Sequence, residues 1–286
     1  MKAIREENLT KCNFIKTVSS EDPSVACDFF VVHTGLSKRK IKDAMNKGAV
    51  WIKKHKGKQK RLRRATAQII AGDEMALYYD QNILNITPPQ ANIIHDQKLY
   101  SVWFKPSGLL TQGTRYGDHC SLIRQAELGF KQKRKIFVVH RLDREAEGLV
   151  ILAHSNDAAA KLSHLFRSGR IEKNYRTEVL GDLTRYKKQG SIDFSLGGKA
   201  SLTEFVVLSY DPQKNTSVVD ITLRTGRMHQ IRRHFTMLGY PVIGDPRYGR
   251  GNKNIEGIKL TATSLKFECP FLKRNVCYTS RENILY

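Results

Sequence analysis

Residues 138–155 read VVHRLDREAEGLVILAHS, a stretch in which polar and charged residues separate two apolar runs. The apolar runs predict two strands, and the polar residues between them predict a loop. Loops that are held by rigid strands often present reactive side chains, and Asp143 lies in this loop. An aspartate that only caps a turn explains the same residues, so the role of Asp143 depends on the rest of the chain.

Short apolar runs alternate with turn signals from about residue 91 onward. LYSVWF precedes KPSG at 105–108, and IFVV precedes the HRLD of residues 140–143. One helix is predicted over 156–168, capped by Ser155 and followed by Gly169, and another from Met228 to about Leu238. The pattern predicts an α+β fold with a mixed, mostly antiparallel sheet flanked by helices.

The N-terminal part of the chain predicts a smaller α/β unit that is strongly basic. A helix is expected from Lys38 to about Lys47, with Ser37 as its cap and Gly48 at its end. After the next strand, residues 53–64 read KKHKGKQKRLRR, with eight Lys or Arg among twelve residues. A solvated loop is the alternative, but beside a basic helix this run favours a phosphate-binding surface. The residues expected to bind phosphates are Lys38, Arg39, Lys42, Lys53, Lys54, Arg61, Arg63 and Arg64.

The boundary between the two parts is expected in the segment QNILNITPPQ, whose two prolines suggest a stiff linker. We therefore predict domains over 1–88 and 89–286. The features of the first domain are, in order, Leu-Ser-basic, a helix, Lys-Gly-x-Val, a strand, and Gly-Asp before a further strand. In these features it resembles the αL RNA-binding domain named after ribosomal protein S-four, which has them in the same order. The resemblance covers about fifty residues. The basic run stands where that family has a Val-Asn-Gly turn.

Composition narrows the classes of partner and cofactor. With 49 Lys and Arg against 27 Asp and Glu, the formal charge is +22, which favours a polyanionic partner over a merely cationic surface. The five scattered cysteines, the lack of a leader-like N-terminus and the lack of a long apolar run predict a cytoplasmic protein outside membranes. No metal-binding, dinucleotide or Walker pattern appears, so neither a metal nor a nucleotide cofactor is expected.

Four sequence signatures together resemble the RluA-type RNA pseudouridine synthases. They are KPSG at 105–108, HRLD at 140–143 with Gly148 following, Tyr175 shortly after a lysine, and TGRMHQIR at 225–232. GYPVIGDPRYG at 239–249 completes the set, which spans most of residues 92–268. The resemblance implies conversion of uridine to pseudouridine in RNA without a cofactor.

The resemblance also implies roles for individual residues. Asp143 would be the catalytic carboxylate, Tyr175 would line the uracil pocket, and Arg227 would be the ionic partner of Asp143. Arg141 would fill the gap that a flipped nucleotide leaves, although a structural salt bridge is its alternative. We also assign four residues to substrate binding: His140, Lys105, Gln230 and Arg232. The ordinary alternatives are loop fixing for His140, a turn for Lys105 and ordering of the helix start for Gln230.

Two departures from the family pattern keep other functions open. Ala146 and Glu147 stand where the family has Thr followed by Ser or Thr, which puts the loop geometry in doubt. A non-catalytic RNA-binding or ribosome assembly factor is therefore an alternative, and a DNA-binding module is a third without supporting motifs. The αL-like domain favours structured ribosomal RNA over transfer RNA as the substrate, and a monomer is the default expectation.

Overall fold

The computed structural model describes residues 9–131, 133–249 and 256–280, so the first eight residues, on which the expectation about a leader partly rests, lie outside the described residues. The chain divides into two compact units, the first comprising residues 1–88 and 112–125 and the second residues 89–111 and 126–286. The sequence placed residues 112–125 in the second domain, whereas in the structure they pack in the first unit. The reason is partly electrostatic, because Asp118 in this segment pairs with Arg61 and Arg63.

The first unit contains a four-stranded antiparallel sheet in the order β1-β4-β2-β3, with helices packed on one face. Its elements are β1 (Lys11–Thr17), α1 (Ala26–Thr34), α2 (Lys38–Asn46), β2 (Val50–Lys53), β3 (Lys60–Arg61), β4 (Glu74–Asp80) and α3 (Gln81–Leu84). The core joins Phe29 and Phe30 of α1, Ile41 and Met45 of α2 and Leu77 of β4.

Helix α2 confirms the sequence prediction, because the Ser37 hydroxyl accepts a hydrogen bond from the Lys40 amide (3.4 Å) and Gly48 follows the last turn at φ 80°. Strand β1 and helix α1 also belong to this unit, and the sequence pattern predicted neither of them. The apolar run of α1, ACDFFVVHT, has no clear amphipathic period, because residues on most of its faces are at least partly buried.

The second unit is built on a ten-stranded sheet. Its main path runs β10-β11-β12-β9-β13-β8-β6-β5, while β14 pairs with β13 and β7 pairs with β8. The strands are β5 (Asn92–Asp96), β6 (Tyr100–Lys105), β7 (Phe137–Val138), β8 (Glu147–Ala153), β9 (Glu172–Leu180), β10 (Gln189–Ile192), β11 (Thr203–Asp211), β12 (Thr216–Leu223), β13 (Leu260–Cys269) and β14 (Arg274–Thr279). Only the β8–β13 pair is parallel among the described strands, so the predicted mostly antiparallel α+β fold is confirmed.

Helices α5 (Asn156–Arg167) and α6 (Gln230–Met237) cover separate cores of the second unit, and α4 (Leu122–Gly129) ends within it. The predicted cap of α5 is confirmed, since the Ser155 hydroxyl accepts from the Ala158 amide at 3.1 Å. Helix α6 begins two residues later than predicted because His229 has left-handed backbone angles, which a right-handed helix does not contain. No helix in the described ranges is long and apolar enough to cross a membrane.

Strand β8 places the HRLD loop because it approaches β13 very closely. Gly148 has φ 113° and pairs with Ala262, and a Cβ added there would lie 2.3 Å from the Ala262 carbonyl oxygen. Only glycine fits this close backbone approach without displacing a strand. The glycine that ends the HRLDREAEG segment therefore fixes where the loop leaves the sheet.

Candidate active site

The loop between β7 and β8 carries Asp143 into a cavity of about 990 Å³ that lies within the second unit. The cavity is bordered by this loop, by the start of α6 and the turn before it, and by β9. Besides Asp143, its lining includes His140, Arg141, Lys173, Tyr175, Arg227, His229, Gln230 and Arg232. Three of the four signatures, which are far apart in sequence, thus contribute side chains to one cavity, whereas none of the KPSG residues lines it.

Asp143 is held by residues of α6 and its N-terminus. One carboxylate oxygen, Oδ2, accepts a hydrogen bond from Nη1 of Arg232 at 3.1 Å, and Oδ1 lies 3.6 Å from Nε2 of His229. The Asp143 side chain retains 27% of its exposure, so the carboxylate is anchored on one side and open to the cavity on the other. A carboxylate in this position is restrained and still accessible to a substrate.

Arg232 joins three carboxylates through one buried guanidinium. Its Nε and Nη2 atoms each donate to Asp245 at 2.8 Å, while Nη1 faces both Asp143 and Glu145, the latter at 3.4 Å. The planar fork suits the bidentate contact with Asp245 and leaves one edge for Asp143. Asp245 is therefore an indirect support for Asp143 that the sequence analysis did not identify, although it lies in the quoted GYPVIGDPRYG segment.

Burial and charge act in opposite directions on this network. Burial alone would lower the pKa of Arg232, but the hydrogen bonds and charges of Asp245 and Asp143 raise it above its ordinary value. Burial likewise favours neutral Asp245, yet the Arg232 guanidinium and the amides of Arg247 and Tyr248 hold the pKa of Asp245 below its ordinary value. The Arg232–Asp245 pair is therefore charged at neutral pH, as a buried ion pair with satisfied hydrogen bonds should be.

The structure corrects the predicted partner of Asp143. Arg227 is exposed, and its Nε donates to the Ala200 carbonyl (3.0 Å). Among the described residues, the arginine that pairs with Asp143 is Arg232, and Nε2 of His229 also lies near the carboxylate. Because α6 begins at Gln230, Arg227 lies in the preceding turn while Arg232 lies in the first helical turn and points inward. The arginine-rich TGRMHQIRRH segment alone did not distinguish these positions.

Gln230 and Arg232 line the cavity, but both side chains are buried and hydrogen-bonded to protein groups. Gln230 is buried, and its amide oxygen accepts from the Arg227 amide and the Thr225 hydroxyl. Its amide nitrogen donates to the Leu202 carbonyl and the Thr203 hydroxyl. These contacts support the alternative role in which Gln230 orders the start of α6, and they contradict direct substrate contact.

Tyr175 lies on β9 and borders the same cavity as Asp143. It is partly buried and packs against the core beneath α6. Burial, with a smaller contribution from the Asp143 charge, raises the pKa of Tyr175 above its ordinary value, so the phenol remains protonated. The structure therefore brings together Asp143 and Tyr175, with Arg227 at the edge of the cavity.

His140 and Arg141 are adjacent in sequence but have different environments. Nε2 of His140 accepts a hydrogen bond from the Ile151 amide at 2.9 Å, and its ring stacks on Phe166 at 4.1 Å. This is the expected loop-fixing role. Burial, aided by the charge of Lys173, lowers the pKa of His140 to about 3. Arg141 is exposed and forms no ion pair with any described residue, which disfavours its structural alternative.

Lys105 is completely buried and fixes the loop that carries Asp143. Its Nζ lies within hydrogen-bonding distance of four carbonyls, at 2.6 Å from Ala146, 2.8 Å from Leu109, 3.0 Å from Pro106 and 3.4 Å from Arg144. Burial lowers its pKa to about 8, although nearby carboxylates including Asp143 act in the opposite direction. The predicted substrate contact is therefore wrong, because the ammonium faces backbone carbonyls and not the cavity.

The two departures from the family pattern are accommodated in this loop. Ala146 is buried, and its carbonyl is the closest acceptor for Lys105. Oε1 of Glu147 accepts a hydrogen bond from the Thr261 hydroxyl at 2.9 Å. The loop thus reaches β8 without the hydroxyls that the family pattern contains. Within the described residues, no group of three His, Cys, Asp or Glu side chains is placed to hold a metal ion.

The predicted RNA-binding residues of the first unit fall into two groups. Lys38, Lys54, Arg61 and Arg63 form ion pairs with Asp28, Asp73 and Asp118. Arg39, Lys42 and Lys53 are exposed and form no ion pair with a described residue, and Arg64 donates to the Thr66 hydroxyl. Arg61 and Arg63 therefore stabilise the unit itself, and the available positive charge lies mainly on α2 and around the β2–β3 turn.

Comparison with known proteins identifies the class of enzyme to which this chain is similar. The family model described as RNA pseudouridylate synthase matches residues 99–237. An uncharacterised RNA pseudouridine synthase of Aquifex aeolicus (strain VF5) is 28% identical over 259 residues, covering 82% of this chain and 79% of that protein. The dual-specificity RNA pseudouridine synthase RluA of Pasteurella multocida (strain Pm70) is 33% identical over 181 residues, covering 57% and 78%.

A solved structure supports the fold assignment. Human RNA pseudouridylate synthase domain containing 1 matches with a TM-score of 0.60 at 22% identity, covering 70% of this chain and 88% of that one. The family model and the named relatives identify the class of the enzyme as pseudouridine synthase, an isomerase. The sequence matches assign the chain to a family within that class: it belongs to the RluA-type RNA pseudouridine synthases.

Matched substitutions of the two arginines test which one supports the site. Arg232→Lys should lower the free energy of unfolding by about 3 kcal/mol, because Asp245 loses its bidentate partner while still buried. Arg227→Lys should change it by less than about 0.5 kcal/mol, since that side chain is exposed. Urea unfolding of both variants measures the difference, and equal effects would contradict the assigned roles.

His140 predicts a defined dependence of stability on pH. Its pKa is about 3 in the folded protein and ~6.5 when unfolded, so between these values the unfolded chain binds more protons. The free energy of unfolding should therefore fall as the pH decreases through this window, by up to about 2 kcal/mol from pH 7 to pH 5. His140→Gln retains an acceptor for the Ile151 amide and does not titrate.

Urea unfolding of both proteins at pH 7, 6 and 5 provides the measurement, because carboxylates that titrate in both cancel in the comparison. The difference in stability between parent and variant should change with pH. A constant difference would show that His140 does not titrate as the geometry requires.

Proposed function

We propose that the protein isomerises uridines to pseudouridines in structured RNA, with Asp143 as the catalytic carboxylate. The observation that carries this assignment is the anchoring of Asp143 by Arg232 at 3.1 Å in a cavity that Tyr175 also lines. The reaction breaks the bond between the sugar and N1 of uracil, rotates the base and joins the sugar to C5. C5 then loses its hydrogen as a proton and N1, which has given up its bond to the sugar, takes up a proton, so there is no net oxidation or reduction.

The reaction needs an ionised carboxylate beside the sugar and the base. Asp143 acts either as the nucleophile or as the base that removes a sugar proton, and both roles require its charge. Arg232 orients this carboxylate, because its Nη1 donates a hydrogen bond to Oδ2 of Asp143 at 3.1 Å. Since Arg232 also binds Asp245, its guanidinium holds a fixed position and Asp143 keeps a defined orientation.

The remaining cavity residues fit the handling of a detached base. The Tyr175 ring offers a surface on which uracil stacks while it turns. Arg141 is exposed at the cavity and lacks an ion pair among the described residues, so its guanidinium is available to occupy the position of an extruded nucleotide. Such occupation offsets part of the few kcal/mol that unstacking a base costs. Arg227, exposed at the cavity edge, is suited to contact a phosphate.

We further propose that the first unit is an αL-type RNA-binding domain and that the substrate is ribosomal RNA. The exposed Arg39, Lys42 and Lys53 support this proposal because cations without carboxylate partners are free to bind phosphates. The domain likeness favours folded ribosomal RNA over transfer RNA. We also propose that the protein acts as a cytoplasmic monomer and requires no cofactor, as its sequence led us to expect.

Asp143→Asn tests the proposed chemistry. The amide keeps the size of the side chain but has neither the charge nor the basicity of a carboxylate, so tritium release from RNA labelled at C5 of uridine should fall by roughly a hundredfold to ten-thousandfold. The substrate is total RNA from cells that lack the enzyme. RNA affinity should remain within about twofold because it depends mainly on phosphate contacts.

Asp157→Asn is the matched control, because Asp157 lies on the exposed side of α5, where its side chain is 70% exposed. It should release tritium at the parental rate. Circular dichroism confirms that each variant is folded. Parental activity in folded Asp143→Asn would contradict the assignment of Asp143.

A further inference from the structure

The first unit contains a second cavity, of about 430 Å³, that shares no residue with the one around Asp143. It lies on the face of the four-stranded sheet opposite to α1 and α2. Alternation along the strands places Val50 and Leu77 in the core and their neighbours Trp51 and Tyr78 on the other face. The segment 112–118, which belongs to this unit, forms the other side of the cavity.

Two aromatic rings and two guanidinium groups, all planar, line much of this cavity, and contacts within the protein hold them in position. The guanidinium of Arg61 lies 4.2 Å from the centre of the Trp51 ring, and that of Arg115 lies 5.3 Å from the centre of the Tyr78 ring. The Trp51 indole donates to the Arg115 carbonyl at 2.9 Å, and Arg61 donates to the Thr114 carbonyl at 2.7 Å. Little conformational entropy remains to be lost when a planar ligand binds.

The charge of the cavity favours an anionic ligand. Asp118 is the only acid among its lining residues, and it already pairs with Arg61 and Arg63. Arg115 is exposed and forms no ion pair with a described residue, so its positive charge is available. Gln59 lines the cavity between the exposed Lys58 and Lys60, and its amide can pair with the edge of a base.

We propose that this cavity binds one unpaired nucleotide of an RNA, separately from the uridine that is isomerised. The base stacks on the ring and guanidinium surfaces, Gln59 contacts its edge, and Arg115 binds the adjoining phosphate. Aromatic rings and arginine planes are the groups on which proteins stack unpaired RNA bases. A volume of about 430 Å³ lies within the ordinary range for small-ligand sites. The choice of RNA as the ligand rests on the proposed function.

Trp51 can report occupancy directly, because the chain has only two tryptophans and the other, Trp103, is in the core of the second unit. In the full-length Trp103→Phe protein, all tryptophan fluorescence comes from Trp51. Single-stranded RNA hexamers of each base are titrated against it. Saturable quenching is expected, whereas a hexamer of abasic riboses with the same phosphates, or the same sequence in a duplex, should quench at least about tenfold more weakly.

Two variants in the same background connect the signal to the cavity. Tyr78→Leu should weaken hexamer binding by about fivefold to a hundredfold, the effect of removing a stacking surface. Arg115→Gln, at the exposed rim where folding is not at risk, should weaken it by about fivefold or more. Arg185→Gln is the matched control, since that side chain is 82% exposed in the second unit, and it should bind as the parent does.

The competing outcomes overturn the proposal in different ways. If the anisotropy of a labelled hexamer shows binding while Trp51 fluorescence stays constant, the RNA binds elsewhere. If the abasic hexamer quenches Trp51 equally, no base enters the cavity. Absence of hexamer binding, or equal affinity of Arg115→Gln and Arg185→Gln, also contradicts it. The measurement is of binding and not of activity, so the two proposals can fail separately. If RNA quenches Trp51 but the protein releases no tritium, the proposed function is contradicted and this site is retained. If the protein releases tritium but RNA does not quench Trp51, only the site is contradicted.

Discussion

The buried guanidinium of Arg232 is the interaction on which the arrangement of the active site depends. It connects the HRLD loop, through Asp143 and Glu145, to the 239–249 segment, through Asp245. Moving a charge out of water costs several kcal/mol, and only well-formed ion pairs offset that cost. Arg232 meets this condition by directing two donors to Asp245 and a third toward Asp143. The position of the catalytic carboxylate is therefore coupled to the packing of α6 and of the segment that follows it.

Several residues that a motif comparison would place in contact with substrate instead hold backbone segments. Lys105 binds the carbonyls of Arg144 and Ala146, which follow Asp143 in its loop. His140 accepts from Ile151 of β8, and Gln230 connects the turn before α6 to Leu202 and Thr203. Asp143, Tyr175, Arg141 and Arg227 of the quoted motifs also line the cavity, and we assign the contacts with substrate to these four. Backbone segments that are held rigidly around a few accessible side chains keep those side chains oriented, which catalysis by proximity and orientation requires.

The sequence was most informative where local rules determine structure. Capping by Ser37 and Ser155 and the apolar runs of β6 and β8 are local features, and the structure agrees with them. The partner of Asp143 depends instead on where α6 begins, and the left-handed His229 shifts that start by two residues. The role predicted for Arg227, contact with Asp143, therefore belongs to Arg232, five positions later.

Long-range features were also beyond a reading of the sequence. The assignment of residues 112–125 to the first unit depends on ion pairs across more than fifty positions, such as Arg63 with Asp118. Whether a basic residue forms an ion pair depends on the folded chain. The sequence alone does not show that Arg61 pairs with Asp118 while Lys42 is exposed and pairs with no described residue. The cavity at Trp51 and Tyr78 likewise forms only when that segment packs beside β2 and β4.

The most direct test of the central claim is a transcriptome-wide map of pseudouridines in cells with and without this chain. Carbodiimide modification followed by reverse transcription locates each pseudouridine as a strand stop. One or more ribosomal RNA positions should lose the modification without the chain, and the parent gene but not its Asp143→Asn form should restore it. An identical map in cells with and without the chain would contradict the assignment of the protein as an active RNA pseudouridine synthase.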